Sequence, residues 1–364
     1  MIKAMSEAFD PLSFVCPLPA SERMQILLGH GSGGRLTAEL IQEVFLPAWD
    51  NPLVAALEDQ AVLPGASLGP GLDAQGRLAL TTDAYVVHPL FFPGGNIGTL
   101  AVHGTINDLA VGGAIPRYLS AAFILEEGLP IDTLRTIVAA MAAACRQCGV
   151  VLAAGDTKVV DRGKGDGLYL VTTGLGYVPP GRDLSVRYAR PGDWVLVSGP
   201  IGEHGMAILA AREELPFQTP LVSDTAPLNG LVEAMLASGG QIRWMRDPTR
   251  GGLSSALSEL ASASRVGVQL EEAAIPIQPQ VQAACELLGL DPLYVACEGR
   301  LVAVVAPEDG PCVLEAMRRH PLATAAARIG TVVADHPGMV VARTRIGGQR
   351  VVPLLAGQQL PRIC

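Results

Sequence analysis

The sequence has few aromatic residues, a deficit of basic charge and no long apolar run. Only 4% of its 364 residues are aromatic, which argues against a surface on which nucleic-acid bases stack. The net charge of −9 points the same way, because a phosphate backbone needs a basic protein face. No apolar run reaches the roughly 18 residues that a membrane-spanning helix requires. We therefore expect neither a nucleic-acid partner nor a membrane.

The seven cysteines are scattered and odd in number, a pattern typical of a reduced, cytoplasmic protein. Cys145 and Cys148 have C-x-x-C spacing, but they lie in an alanine-rich helical pattern and no second pair follows at zinc-ribbon spacing. Two buried helix cysteines are the better interpretation. Residues 1–25 lack a basic start followed by a long apolar core, so we predict a loose N-terminal extension rather than a signal peptide.

The length of the chain suits two domains of ordinary size. Residues 26–180 form the first predicted domain, with strand composition at 77–82 and 168–173 and helical patterns at 97–112 and 131–148. A Pro-Pro-Gly sequence at 179–181 is the predicted linker. Residues 181–352 form the second domain, which opens with an alternating strand at 193–198. Both domains mix strands and helices, which predicts an α/β or α+β class.

Residues 353–364 are predicted to form a flexible tail. Prolines stand at positions 353 and 361 and a glycine at 357, a composition that suits an extended segment better than a helix or strand. The sequence given ends Pro-Arg-Ile-Cys, with Cys364 last. Fully extended, such a tail spans on the order of 40 Å, which would carry its thiol across most of a domain. A frayed end with an incidental cysteine is the alternative.

Two glycine-containing stretches are candidates for binding an anion. The first has small residues with accessible backbone amides just before a helical pattern: Gly31, Ser32, Gly33 and Gly34. It lacks the G-K-[S/T] ending of a P-loop, so a flexible surface loop stays open. The second stretch, residues 246–253, has polar side chains and two glycines before a helix, as a magnesium–phosphate site would: Asp247, Thr249 and Arg250.

Acidic residues flanked by small residues follow several predicted strands and turns: Asp59, Asp83, Asp108 and Asp156. Carboxylates at the ends of separate strands can converge on Mg²⁺ and phosphate oxygens. A turn or a helix cap explains any single one of them, whereas the group favours a metal site. Lys158 could offset charge on a transferring phosphoryl group, with a plain surface lysine as the alternative. Glu272, after a predicted strand, could be a general base or a solvated strand end.

Six motifs together resemble one family: the Gly-Ser-Gly-Gly loop (31–34), GTINDLAVGGAIPRY (104–118), AGDTKVV (154–160), RDPTRGGL (246–253), EEAAIPI (271–277) and the final PRIC. They are similar to those of the HypE family, the hydrogenase-maturation carbamoyl dehydratases of the PurM-like ATP-binding superfamily. The resemblance covers about residues 26–364. It implies a PurM-like two-domain fold of α/β (α+β) class. A strand-rich N-terminal domain would dimerise and bind ATP, and an α/β C-terminal domain and a mobile tail would follow.

The resemblance also implies a reaction and partners. A HypF-type carbamoyltransferase would load Cys364, ATP with Mg²⁺ would dehydrate the carboxamide to a thiocyanate, and a HypC–HypD complex would receive the cyanide for [NiFe] hydrogenase. By position, Lys158 and Glu272 lie near the reacting carboxamide, with Glu272 as the base. The implied metal ligands are Asp59 (the weakest match), Asp83, Asp108 and Asp156. The implied ATP contacts are Gly31, Ser32, Gly33, Gly34, Asn107, Thr157, Asp247, Thr249 and Arg250.

The stretch LYVACEGR (293–300) departs from the family pattern, because Cys297 and Arg300 stand where Asn and Lys are usual. Two other functions stay open from the residues alone. One is a PurM-like kinase or synthetase that acts on a free metabolite. The other is a non-catalytic scaffold that carries a group between partners. ATP hydrolysis after loading of the tail would separate both from a dehydratase.

Overall fold

The computed structural model describes residues 34–40, 42, 57–58, 61–64, 76–213 and 221–355. The predicted extension at residues 1–25 and residues 356–364 of the predicted tail lie outside this range. Within it, the strands and helices predicted from composition are all present at their predicted places. The predicted linker at 179–181 falls between the last strand of the first sheet and the first strand of the second.

A five-stranded sheet forms the frame of the first domain. Its strands are β1 (Ala61–Pro64), β2 (Arg77–Tyr85), β5 (Ile115–Glu126), β6 (Val151–Val160) and β7 (Leu168–Val178). They lie in the order β1-β2-β7-β5-β6. All neighbours are antiparallel except β5 and β6, which are parallel. A small hairpin, β3 (Phe91–Phe92) with β4 (Gly95–Asn96), stands apart from this sheet.

Among the described residues, the helices of the first domain are α1 (Arg35–Leu40), α2 (Ile97–Val111) and α3 (Ile131–Cys148). Helix α2 begins at a capping box, in which Asn96 accepts from the Thr99 amide and the Thr99 hydroxyl oxygen accepts from the Asn96 amide, a reciprocal arrangement that satisfies two orphan donors. It is buried on nearly every side. Cys145 and Cys148 are buried in α3 as predicted, and burial raises the pKa of Cys148 to about 12.

The second domain is built on a seven-stranded sheet. Its strands are β8 (Trp194–Val197), β9 (Ile242–Arg246), β10 (Gly267–Glu271), β11 (Val302–Val305), β12 (Ala327–Val333), β13 (Val340–Arg343) and β14 (Gln349–Val351). The order is β14-β13-β10-β12-β8-β11-β9. Only β10 and β13 are parallel neighbours among these pairs.

Helices cover both faces of this second sheet. They are α4 (Glu203–Arg212), α5 (Asn229–Ala237), α6 (Gly252–Ser264), α7 (Pro279–Leu288) and α8 (Gly310–Arg319). Successive residues of a strand point to opposite faces, so Val195 and Val197 pack with α6 while Leu196 packs with α5 and α8. Strand β11 is buried at every position. In the part of the chain that the structure describes, no helix has the length and apolarity to cross a membrane.

Candidate active site at the domain seam

The two domains meet where α2 packs against the irregular segment 221–228, and we call this contact the domain seam. Asn107 of α2 is completely buried there. Its Oδ1 accepts from the Leu228 amide at 2.7 Å, and its Nδ2 donates to the carbonyls of Ala226 at 3.0 Å and Glu298 at 3.2 Å. Both ends of the amide are therefore used to join the domains. The predicted contact of Asn107 with ATP stays a prediction.

A histidine one turn earlier in α2 adds to the domain seam. His103 Nδ1 lies 3.2 Å from the Thr225 hydroxyl, and burial lowers the pKa of His103 to about 4. On the second-domain side, His204 Nδ1 lies 2.7 Å from the Ser223 hydroxyl, which also accepts from the Thr225 amide. The domain seam is thus polar, and its imidazole at position 103 is neutral at physiological pH, with an Nε2 that has no hydrogen-bond partner among the described residues.

Two of the predicted metal ligands, Asp83 and Asp108, come together on the first-domain side. Asp83 lies on β2, and Asp108 on α2 accepts from the Thr81 hydroxyl at 2.9 Å. Residues 81 and 83 share a face of the strand because side chains alternate. Burial raises the pKa of Tyr85 well above its usual range, and the charges of Asp83 and Asp108 raise it further. Both carboxylates therefore act on one small region.

The second domain contributes acids to the same region through Glu298, which the sequence interpretation missed. Glu298 is 2% exposed, and its Oε1 has no hydrogen-bond partner among the described residues. Burial raises its pKa well above the usual range, and the carboxylates of Asp247, Asp83 and Asp224 raise it further against a lowering by Arg250. Asp83 of the first domain and Asp247 of the RDPTRGGL stretch thus both act electrostatically on Glu298.

The departures from the family pattern at Cys297 and Arg300 are both accommodated. The buried sulfur of Cys297 accepts from the Gly202 amide at 3.2 Å, and burial raises the pKa of this thiol. Arg300 Nη2 pairs with Glu203 at 2.6 Å, and its Nε lies 3.6 Å from Asp224. The Arg300 ion pairs offset part of the cost of burying Asp224. Side chains at both positions support the loop that carries Glu298.

Asp156 and Lys158 lie on β6, at the edge of the first sheet. Both are exposed, and as alternate residues they share a face of the strand. Thr157 is opposite Phe123 in the parallel pairing of β5 with β6. The structure describes the backbone of Thr157 and not its side chain. Among the described residues, no three His, Cys, Asp or Glu side chains are grouped to hold a metal ion. Asp156 on β6 is three strands away from Asp83 on β2 in the first sheet.

Glu272, the predicted base, stands in a 3₁₀ turn (Glu272–Ala274) directly after β10. Arg350 of β14 donates from Nε to its Oε1 at 2.5 Å and pairs through Nη1 with Asp291 at 2.7 Å. The contact with the guanidinium is a charge-assisted hydrogen bond. It also occupies one carboxylate oxygen, so proton transfer to Glu272 would use the other.

Of the remaining predicted site residues, Gly34, Thr249 and Arg250 lie in the part of the chain that the structure describes. Gly34 lies against Leu355, where an added Cβ would collide with the carbonyl oxygen. Thr249 and Arg250 lie in the turn before α6, which requires positive φ at Gly251 and Gly252. The other predicted residues lie outside the described range: Gly31, Ser32, Gly33, Asp59 and Cys364.

Both domains of the chain match one known protein family. The family of AIR synthase related proteins matches this chain twice. Its N-terminal domain matches residues 57–178, and its C-terminal domain matches residues 190–342. These matches cover the first sheet and all of the second except its last strand, β14, with the helices from α2 to α8. The chain is therefore a two-domain protein of the AIR synthase-related, PurM-like class, as the sequence predicted.

Within this class, the chain is similar over nearly its whole length to carbamoyl dehydratases. Carbamoyl dehydratase HypE of Rhizobium leguminosarum bv. viciae is 56% identical over 341 residues, which are 93% of this chain and 95% of that protein. Carbamoyl dehydratase HypE of Escherichia coli (strain K12) is 47% identical over 339 residues, 93% of this chain and 99% of that one. The chain belongs to the HypE family of carbamoyl dehydratases, which act in hydrogenase maturation.

Solved structures agree with this assignment. HypE in complex with ATP superimposes with a TM-score of 0.77 at 46% identity, covering 93% of this chain and all of that one. A HypE–HypF complex gives a TM-score of 0.81 at 45% identity, covering 87% of this chain and 99% of the other. Thiamine monophosphate kinase of Aquifex aeolicus, at 17% identity and a TM-score of 0.61, shares the fold alone. The predicted PurM-like fold is confirmed.

Proposed function

We propose that this chain uses ATP to dehydrate a carbamoyl group carried on Cys364 to a thiocyanate, which supplies the cyanide ligand of [NiFe] hydrogenase iron. The observation that carries the proposal is the 56% identity with a carbamoyl dehydratase HypE over 93% of the chain. The domain seam supports it, because acids of both domains converge there around Glu298. We expect the enzyme to work in the cytoplasm, where its cysteines stay reduced.

The chemistry asks for a phosphoryl donor and a base. Transfer of the γ-phosphoryl group to the carboxamide oxygen, with loss of one N–H proton, gives an O-phosphorylated imidate and ADP. Loss of the second N–H proton with departure of phosphate breaks the C–O bond and leaves S–C≡N. Oxygen leaves poorly from a carboxamide and readily as phosphate. Glu272 is the proposed base, and Lys158 is proposed to offset charge on the transferring group.

Magnesium fits the donors on the first-domain side of the seam, since carboxylate oxygens are its preferred protein ligands. Asp83 and Asp108 would hold one ion, and Asp59 and Asp156 are proposed as further ligands from the family resemblance alone, because β6 is three strands from β2 in the sheet. When bound, Mg²⁺ would neutralise charge on the phosphates. The proposed contacts to ATP itself are Gly31, Ser32, Gly33, Gly34, Asn107, Thr157, Asp247, Thr249 and Arg250. The structure of a HypE with ATP supports nucleotide binding by this family.

Partners follow from the same assignment. A HypE–HypF complex has been solved, and we propose that a HypF-type carbamoyltransferase loads Cys364 of this chain. A HypC–HypD complex is the proposed acceptor of the cyanide. We further propose a homodimer through the first sheet, because its strands carry exposed apolar side chains that a partner would cover: Leu80, Tyr118, Val151, Leu152 and Val159.

Replacing Cys364 with alanine is expected to remove carbamoyl loading while ATP binding stays at the parent level. The mass of the C-terminal peptide after reaction with the carbamoyltransferase checks this: the parent peptide should gain a carbamoyl group and then lose one water when ATP is added. Cys312→Ala is the matched control, because this thiol is the exposed one among the described cysteines. Cyanide-ligated iron formed with the Cys364→Ala protein would overturn the carrier role.

The homodimer predicts sedimentation at twice the 37.9 kDa chain mass at micromolar concentration. Val159→Asp places a charge on the exposed apolar face of β6 and should raise the dimer dissociation constant about tenfold or more, because an unpaired charge in an interface is costly. Leu287→Asp is the control: Leu287 is also exposed, at 75%, but lies on α7 of the second domain. A parent chain that sediments as a monomer would contradict the proposal.

A further inference from the structure

Several hydrogen bonds hold the start of the tail against the second domain, and none of them has a role in the reaction proposed above. After β14, the Val352 amide donates to the Val340 carbonyl at 2.8 Å, the last hydrogen bond that continues the sheet. Proline at position 353 has no N–H to extend the pairing. The main chain therefore leaves the sheet at Pro353, and the tail described from the sequence as loose is still bound at this residue.

Two hydroxyl groups converge on the Pro353 carbonyl. The Ser254 hydroxyl donates to it at 3.0 Å, and the Tyr294 phenol donates to it at 3.0 Å. Ser254 is completely buried in the first turn of α6, and Tyr294 ends a 3₁₀ turn (Pro292–Tyr294) that packs against that helix. Burial raises the pKa of Tyr294, so the phenol keeps its proton and acts as a donor. One carbonyl thus uses both of its lone pairs.

The helix turn that holds the tail also carries the proposed phosphate-binding residues. Ser254 follows RDPTRGGL directly in sequence. Gly252 of that stretch packs so closely on the Leu293 and Val295 carbonyls that an added Cβ would lie 2.7 Å from each. The turn at 251–254, the 3₁₀ turn at 292–294 and the tail at Pro353 are therefore one rigidly packed unit.

Two further contacts fix the tail on either side of Pro353. Before it, Arg350 pairs with Glu272, the proposed base. After it, the Leu355 carbonyl accepts from the Arg35 amide at 2.6 Å. Residues 356–364 then remain to span from this point to the reacting phosphate, a distance of at most about 30 Å. The described contacts thus set where the tether begins.

We propose that Ser254 and Tyr294 are positioning residues that bind the Pro353 carbonyl and so fix the origin of the segment that delivers Cys364 to the ATP site. The proposal rests on the proposed function, in which the tail is the substrate. Tethering raises the effective concentration of a substrate only if the tether starts at a suitable place and has a suitable length. Neither residue touches the carboxamide, so their effect is on delivery alone.

A comparison of reaction within one chain and between chains tests this. The parent and the Ser254→Ala/Tyr294→Phe protein are loaded at Cys364 by the carbamoyltransferase, and conversion to thiocyanate is followed by peptide mass in a single turnover with ATP. We expect the variant to react about five- to tenfold more slowly, as loss of two hydrogen bonds to one carbonyl predicts. In the second arm, the same two changes in a Cys364→Ala background act on a carbamoylated peptide of residues 356–364. There we expect no change in rate.

The matched control removes one serine hydroxyl and one tyrosine hydroxyl elsewhere. Ser238→Ala/Tyr188→Phe deletes donors to the Met235 carbonyl and the Asp183 carboxylate, and its rates should equal those of the parent in both arms. Equal rates for the parent and the Ser254→Ala/Tyr294→Phe protein in the single-chain arm would overturn the proposal. A parallel loss in both arms would overturn it too, since the two residues would then act on the site and not on the tail.

Hydrogen exchange separates failure of this proposal from failure of the proposed function. The Val352 amide is protected by its bond to Val340, and we expect it to exchange about tenfold faster when the two hydroxyls are removed. Unchanged exchange at Val352 overturns the anchor whatever the activity. A loaded parent protein that never loses water with ATP would refute the dehydratase instead, and the exchange result alone would then decide the anchor.

Discussion

Replacing Asp83 with asparagine is expected to lower ATP turnover on the loaded protein by about 100-fold or more. The change removes one negative charge from the place where Asp108 and the second-domain acids converge, while keeping the size of the side chain. Loss of a single preorganised charge-stabilising group typically costs two to three orders of magnitude in rate. Phosphate release from the protein loaded at Cys364 measures the effect.

The fold should be unaffected by the same change. The Asp83 carboxylate accepts from the neighbouring Ala84 amide at 2.8 Å, a bond that the asparagine carbonyl can keep. The charge of Asp83 is one of those that raise the pKa of the buried Glu298, so its removal makes burial of that side chain no less favourable. Asp132→Asn, at an exposed position in the first turn of α3, is the control for loss of one charge. Turnover by Asp83→Asn at the parent rate would exclude Asp83 from the metal site.

Replacing Asn107 with aspartate is expected to destabilise the chain by about 3–5 kcal/mol. A carboxylate cannot donate to the two carbonyls that Nδ2 now serves, and it would bring a charge into a buried site. Unsatisfied buried acceptors cost about 1–3 kcal/mol each, and an unpaired buried charge adds to this. The free energy of unfolding in urea measures the loss.

Asn229→Asp is the matched control. The Asn229 amide donates to a single carbonyl, that of Cys148 at 3.0 Å, and the residue lies in the first turn of α5, where an acid is favourable. We expect a change of about 1 kcal/mol or less there. An Asn107→Asp protein with parent stability but no affinity for ATP would show instead that this amide serves the nucleotide and not the domain seam.

Local patterns in the sequence predicted much of the fold. The strand composition of 168–173 and the helical pattern of 131–148 correspond to β7 and α3, because the residue types that suit a pleated strand or a helix are a local property of the sequence. The cysteines of α3 were placed correctly for the same reason. The final PRIC together with AGDTKVV made the resemblance specific to one family, whereas the Asn-Asp and Gly-Asp-Thr elements are shared across the superfamily.

The domain seam could not be predicted in this way. Glu298 is one acid in an apolar stretch, and its importance appears only when Asp83 and Asp247, from different domains, are brought near it. Nothing in the spacing of Asn107 and Asp108 says that one side chain joins the domains while its neighbour faces the Thr81 hydroxyl. The sequence likewise does not indicate that the hydroxyls of Ser254 and Tyr294 donate to the same carbonyl, that of Pro353. Such features depend on long-range docking, which no local period encodes.

The polar contacts of α2 with the segment 221–228 also limit how such chains can be recombined. A hybrid that took its first domain from one relative and its second from another would keep intact the large cluster within the second domain, although two other clusters combine residues of both domains. It would nevertheless have to match donors to acceptors at Asn107, His103 and their partners. Inheritance of the two halves as a single unit is the expected outcome for this architecture.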